Sequence, residues 1–131
     1  MKFRMRAYTG QVLTFAWWGR LVFDISGMRL EQKFPILRQH DSLQPVGVGT
    51  TSYKAAGALW AEGVLLSNSY GKEVQQLLEE GFPLQASVGI CPITVEEVAS
   101  DKSVIVNGQS FKGPGMVLRE SHVREISVVA L

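Results

Sequence analysis

Cysteine is almost missing from this sequence: Cys91 is the only one in 131 residues. That excludes an intramolecular disulfide and a zinc site built on thiolates, and it fits a reducing compartment. Histidine is scarce as well. With only His40 and His122, three or four regularly spaced ligands cannot be assembled, so no metal is expected. An excess of one charge is also lacking. The 13 Lys+Arg stand against 12 Asp+Glu, a net charge of +1, without the basic surplus of a nucleic-acid binder. Neither common phosphate-cradling glycine loop occurs, because Lys54 in "GVGTTSYKAAG" does not follow a glycine as required; no cofactor is expected. Long apolar runs are absent too. Arg20 cuts off the run that begins "VLTFAWWG", and "MKFRMRAYTG" alternates charged and apolar residues with no h-region. Neither a signal peptide nor a membrane span is read here, so a soluble chain with no membrane or nucleic-acid partner is expected.

What is present is material for a core. Hydrophobic residues make up 46% and charged ones 19%, as in globular proteins, and the length suits one domain over residues 1–131. Glycine and turn signals cut the chain into short strand-like pieces. "FRMRAY" and "QVLTFAWW" read as strands parted by Thr9-Gly10, with one of Trp17 and Trp18 in the core. "RLVFDI" ends at Ser26-Gly27, and "KFPILRQHD" runs to a polar stop at His40-Asp41. "PVGVGTTSYKAAGALWAEGVLLS" reads as two strands. One helix interrupts them: Tyr70, Val74, Leu77 and Leu78 lie on one helical face. Asn68 or Ser69 caps its start and Gly81 supplies its left-handed end. A strand through Ser87 follows, ending at Pro92, then "ITVEEVA", a hairpin turning at Asn107-Gly108, and the β-branched "HVREISVVAL". The expected fold is mostly β with α, a small and mainly antiparallel β-barrel with one or more flanking helices. The chain ends at Leu131 straight after its most strand-like segment, which fits a truncated or processed domain as well as a natural end.

Chemistry has few candidates. In "GFPLQASVGI", Ser87 alternates with Gln85 and Gly89, opposite the apolar Leu84, Ala86, Val88 and Ile90. It is either an ordinary polar residue on a strand's outer face or a nucleophile. A serine nucleophile needs a base, and the base needs an orienting group. His40 ends an apolar strand, and Glu125 sits inside the last one, where a carboxylate is costly unless paired. Cys91 reads as a small core residue.

Three patterns in this order resemble the prohead (head-maturation) proteases of tailed bacteriophages, a family related in fold to the herpesvirus protease assemblin. They are "FPILRQHDSLQPVGVGT", "GFPLQASVGI" preceded by "KEVQQLLEEG", and "VREISVVAL", together spanning residues 34 to 131. The resemblance implies a serine endopeptidase with Ser87 as nucleophile, His40 as general base and acid, and Glu125 orienting His40. His122 is the rival for the third place; in a regular strand positions 122 and 125 face opposite ways. The oxyanion donors are left among backbone N–H groups near Ser87, Arg119 and Arg124. Implied substrates are scaffold, major capsid protein and the protease itself, met inside the assembling prohead in the cytoplasm of an infected or lysogenic bacterium, with self-association. The alternatives are a noncatalytic β-barrel scaffold or interaction module of the viral head, and a ligand-binding barrel.

Overall fold

β-Branched and aromatic residues alternate with polar ones through most of the chain, and a computed structural model, which describes residues 1–130, folds these stretches into strands. In chain order they are β1 (Lys2–Tyr8), β2 (Leu13–Phe15), β3 (Gly19–Phe23), β4 (Met28–Arg29), β5 (Phe34–Arg38), β6 (Asp41–Ala55) and β7 (Ala58–Leu65). The helix α1 (Ser69–Glu79) follows, then β8 (Leu84–Val98), β9 (Ser103–Val106), β10 (Gln109–Lys112) and β11 (Gly115–Ala130). The fold is mostly β with one α-helix. Leu131, on which the expectation of a truncated end rests, lies outside the described residues. Among those residues no helix is long and apolar enough to cross a membrane.

β11 organises the sheet. Along one edge it pairs in parallel with three short strands in turn: β3 at Met116–Leu118, β4 at Ser121–His122 and β5 at Ile126–Val128. Its other edge is taken by β8, antiparallel over its full length. From β5 the sheet continues antiparallel through β6 and β7 to β1. The expected barrel is not closed. β1 runs alongside β8, yet the two share no strand pairing among the described residues. A cavity lined by Phe3, Met5, Leu84 and Ala86 separates them. β1 is charged at Lys2, Arg4 and Arg6, and charge on an edge strand opposes further pairing. One edge of β8 is thereby left free.

Inward side chains fill the curved sheet. Tyr8, Ile36, Val46, Leu59, Val123 and Ile126 are among the most buried, and Leu84, Ala86, Val88 and Ile90 of β8 pack on them, which puts Ser87 and Gly89 on the opposite face. A second cluster of Val22, Val98, Val106, Phe111 and Val117 holds the β9–β10 hairpin. That hairpin turns at Asn107 and Gly108, both at positive φ, as the type I′ turn requires. In α1, Asn68 caps the first turn by accepting from Gly71 N–H at 2.8 Å, and Gly81 ends the helix at φ +77.

Four expectations need correction. β8 does not stop at Pro92 but runs on to Val98. Proline lacks an N–H to give, which an unpaired edge tolerates, and the β11 register is already irregular between Glu120 and Ser121. Leu78 is exposed, so α1 buries chiefly Val74. Trp17 and Trp18 both lie largely exposed, at 94% and 66%, on the turn between β2 and β3, and neither is in the core. Cys91 is half-buried and absent from both core clusters; its sulfur lies 4.0 Å from Arg124 Nη2.

Candidate active site

β5 and β6 are joined by two residues, Gln39 and His40, with φ of 53 and 59. Two consecutive left-handed residues make the tight turn that matches the twist of a hairpin, usually built from Asn and Gly. Here side chains larger than glycine occupy both positions, a local strain that surrounding contacts must hold. Those contacts come from β11. Gln39 N–H donates to Val128 O at 3.1 Å, and His40 N–H donates to Ser127 Oγ at 2.9 Å. The imidazole is therefore held from its own backbone.

The ring reaches a partner on each side. His40 Nε2 lies 2.8 Å from Ser87 Oγ on β8, and Nδ1 lies 2.5 Å from Glu125 Oε1 on β11. A neutral ring that donates Nδ1–H to the carboxylate leaves Nε2 free to accept from the serine hydroxyl. The second carboxylate oxygen, Oε2, accepts from Ser127 O–H at 2.7 Å. Ser127 is fully buried and thus ties the backbone of His40 to the side chain of Glu125. The Glu125 side chain is 14% exposed and that of His40 42%, so the carboxylate is covered while the imidazole remains open to solvent.

Two features of the strands place Glu125. The β8–β11 register shifts between Val123 and Glu125, a bulge in which Arg124 is the extra residue. Val123 and Ile126 both face the core, so Arg124 and Glu125 both face outward. Opposite Glu125, in register, stands Gly89. A Cβ on that glycine would collide with Glu125 Oε1; its absence is the space through which the carboxylate passes toward His40.

The three residues singled out in the sequence, Ser87, His40 and Glu125, are thus brought together. His122 is not among them. The bulge removes the alternation that set positions 122 and 125 on opposite faces; distance along the sheet is what parts them. His122 pairs with Cys91, four residues along β8 from Ser87, and its Nε2 lies 3.7 Å from Glu31 Oε1. Asp41, beside His40 in sequence, turns away to accept from Leu43 N–H and Gln44 Nε2, each at 2.9 Å. Arg119 is committed elsewhere, to Glu96 at 2.7 Å and Asp24 at 3.1 Å. The second serine, Ser127, was not picked out by sequence reasoning. The only signal was its place two residues after Glu125, which puts two side chains on one face of a strand.

A cavity of about 550 Å³ opens at the free edge of β8 and includes Ser87 and His40 in its wall. Set against known proteins, the chain matches no family model, no curated protein and no solved structure.

Proposed function

We propose that this protein is a serine endopeptidase of the prohead-maturation kind. The observation that carries the reading is the double engagement of His40, with Ser87 Oγ at 2.8 Å on one nitrogen and Glu125 on the other. An imidazole bridged in this way can take a proton from the hydroxyl while the carboxylate steadies the cation that forms.

In this mechanism Ser87 Oγ attacks a peptide carbonyl and its proton passes to His40 Nε2. The tetrahedral intermediate collapses, the C–N bond breaks, and the amine leaves with the proton held by His40. Water then enters, gives a proton to the same nitrogen and attacks the acyl ester. The carboxylic acid departs and Ser87 regains its proton. Glu125 does not react; with Ser127 it keeps Nδ1–H pointing one way, so that Nε2 stays an acceptor. Arg119 is engaged in ion pairs, and Arg124 is directed at the Cys91 sulfur, four residues along β8 from Ser87. The backbone N–H groups near Ser87 are therefore the favoured donors to the oxyanion.

The biological setting is part of the same proposal: scaffold, major capsid protein and the protease itself as substrates, inside the assembling prohead in the bacterial cytoplasm. So is the fold relationship to the head-maturation proteases and assemblin. Support comes from the order in which the turn after β5, the strand β8 and the strand β11 deliver His, Ser and Glu. Incubation with a scaffold or capsid protein tests the reading. Discrete cleavage by the wild-type chain, abolished by Ser87→Ala, is the expected result. Cleavage that persists in Ser87→Ala would overturn the reading, and no cleavage by the wild-type chain would favour a noncatalytic module of the viral head.

A further inference from the structure

The cavity beside Ser87 has a composition that selects a ligand. Leu13, Phe15, Trp18, Ile90, Met116 and Leu118 form much of its wall, with Ser87 and His40 at one side. Asp, Glu, Lys and Arg are absent from that wall. The one hydroxyl deep in it, that of Tyr8, is already satisfied. It donates to Gln11 O at 2.6 Å and accepts from Phe23 N–H at 3.0 Å. Besides Ser87, His40 and Tyr8, the other polar side chains on the wall are the neutral amides of Gln11 and Gln85. A charged group entering the cavity would therefore lose its water and find no Asp, Glu, Lys or Arg to pair with, at a cost that disfavours it. At about 550 Å³ the cavity falls within the roughly 300–1,000 Å³ that holds whole small ligands. A single large side chain fits without repacking the core.

The wall is also unusual in its outer part. Phe15 and Trp18 are 43% and 66% exposed, on a short hairpin that leaves an aromatic surface uncovered beside a nucleophile. Apolar area of this kind gains free energy when a matching group covers it. Its continuity with Ser87 states where that group must come from.

We infer that this cavity is the specificity pocket of the enzyme and takes a bulky apolar side chain, leucine- or phenylalanine-like, adjoining the scissile carbonyl, with Phe15 and Trp18 as its outer wall. The inference rests on the reading of Ser87 as nucleophile, and deepens it by naming the substrate class.

The test uses the full chain and a series of diphenyl aminoalkylphosphonates with Phe-, Leu-, Ala- and Asp-type side chains, alongside a small alkyl fluorophosphonate. In each aminoalkylphosphonate reaction Ser87 Oγ bonds to phosphorus, phenoxide leaves, and the serine proton reaches it through His40. Second-order labelling rates are read by intact mass. The Phe and Leu probes are expected to react about 10- to 200-fold faster than the Ala probe, and the Asp probe slowest of all. In Trp18→Ala, an exposed turn position, the Phe-to-Ala rate ratio is expected to fall severalfold, a change that general loss of stability would not produce. If the fluorophosphonate labels Ser87 while the Phe and Leu probes react no faster than the Ala probe, or not at all, the pocket inference is overturned and the nucleophile stands. If the fluorophosphonate leaves Ser87 unlabelled, the nucleophile reading itself falls, and the inference with it.

Discussion

Gly89 stands directly across from Glu125 in the β8–β11 ladder, and the volume its missing side chain leaves is filled by the glutamate carboxylate. A carboxylate can thus be aimed at the His40 ring by a residue that contributes no side-chain atoms of its own.

Gly89→Ala is accordingly expected to damage activity more than stability. The new methyl would meet the far end of a flexible side chain, which can swing aside, so the fold is retained. The carboxylate would lose its register with His40 Nδ1, and a displacement of that order costs about 10²-fold in turnover. Turnover measured beside thermal unfolding separates the two effects; a large fall in melting temperature with turnover intact would contradict the assignment.

Ser127→Ala removes a hydroxyl that accepts from His40 N–H and donates to Glu125 Oε2. Both groups lose a partner in a buried place, and about 1–3 kcal/mol of stability is expected to go with them. Because the left-handed His40 turn depends on that acceptor, turnover should fall while substrate affinity is kept. Urea unfolding and separate kcat and KM values check the two halves.

Within the triad the losses are expected to be unequal. Ser87→Ala removes the attacking atom and should cost ~10⁶ in turnover, whereas Glu125→Gln, which removes only orientation and charge, should cost nearer ~10⁴. The double variant should be no slower than Ser87→Ala alone, since the residues act as one unit. Additive losses would argue that Glu125 serves some other purpose.

Away from the site, Asp24 links folding to pH. Burial pushes its carboxyl up, but hydrogen bonds from Ser26 and Arg119 outweigh that and hold it below its ordinary value of 3.8. A carboxyl depressed in the folded state stabilises at pH above its unfolded value, and that contribution is lost as pH falls through the folded value. Stability measured by urea unfolding should therefore drop on acidification below about pH 4, and Asp24→Asn should flatten this part of the profile. An unchanged acid slope in Asp24→Asn would remove Asp24 from the account.

Much of the fold was legible in local chemistry. Asn68, Gly81 and Asn107-Gly108 act through their own backbone or cap geometry, and each does in the structure what its residue type dictates. The alternation of Leu84 to Ile90 gave the correct face for Ser87 because a side-chain period of two needs no knowledge of the partner strand. What stayed hidden depends on partners distant in sequence. Pro92 could continue β8 only because one edge of that strand is free. The β11 bulge is defined by its register against β8, so the opposite-face argument over His122 and Glu125 rested on a regularity the strand lacks. The seam between β1 and β8 could not be read from either strand alone. The candidate triad was readable as three residues in a pattern, whereas Ser127 and Gly89 became visible only when β8 and β11 were set side by side.

The most direct measurement is the site and rate of covalent modification by an alkyl fluorophosphonate, located by peptide mass mapping in the wild-type chain and in His40→Ala. The account predicts one adduct per chain, on Ser87, formed rapidly in the wild type and at least ~10³-fold more slowly without the imidazole. An adduct on another residue, no adduct at all, or equal rates in the two proteins would contradict it.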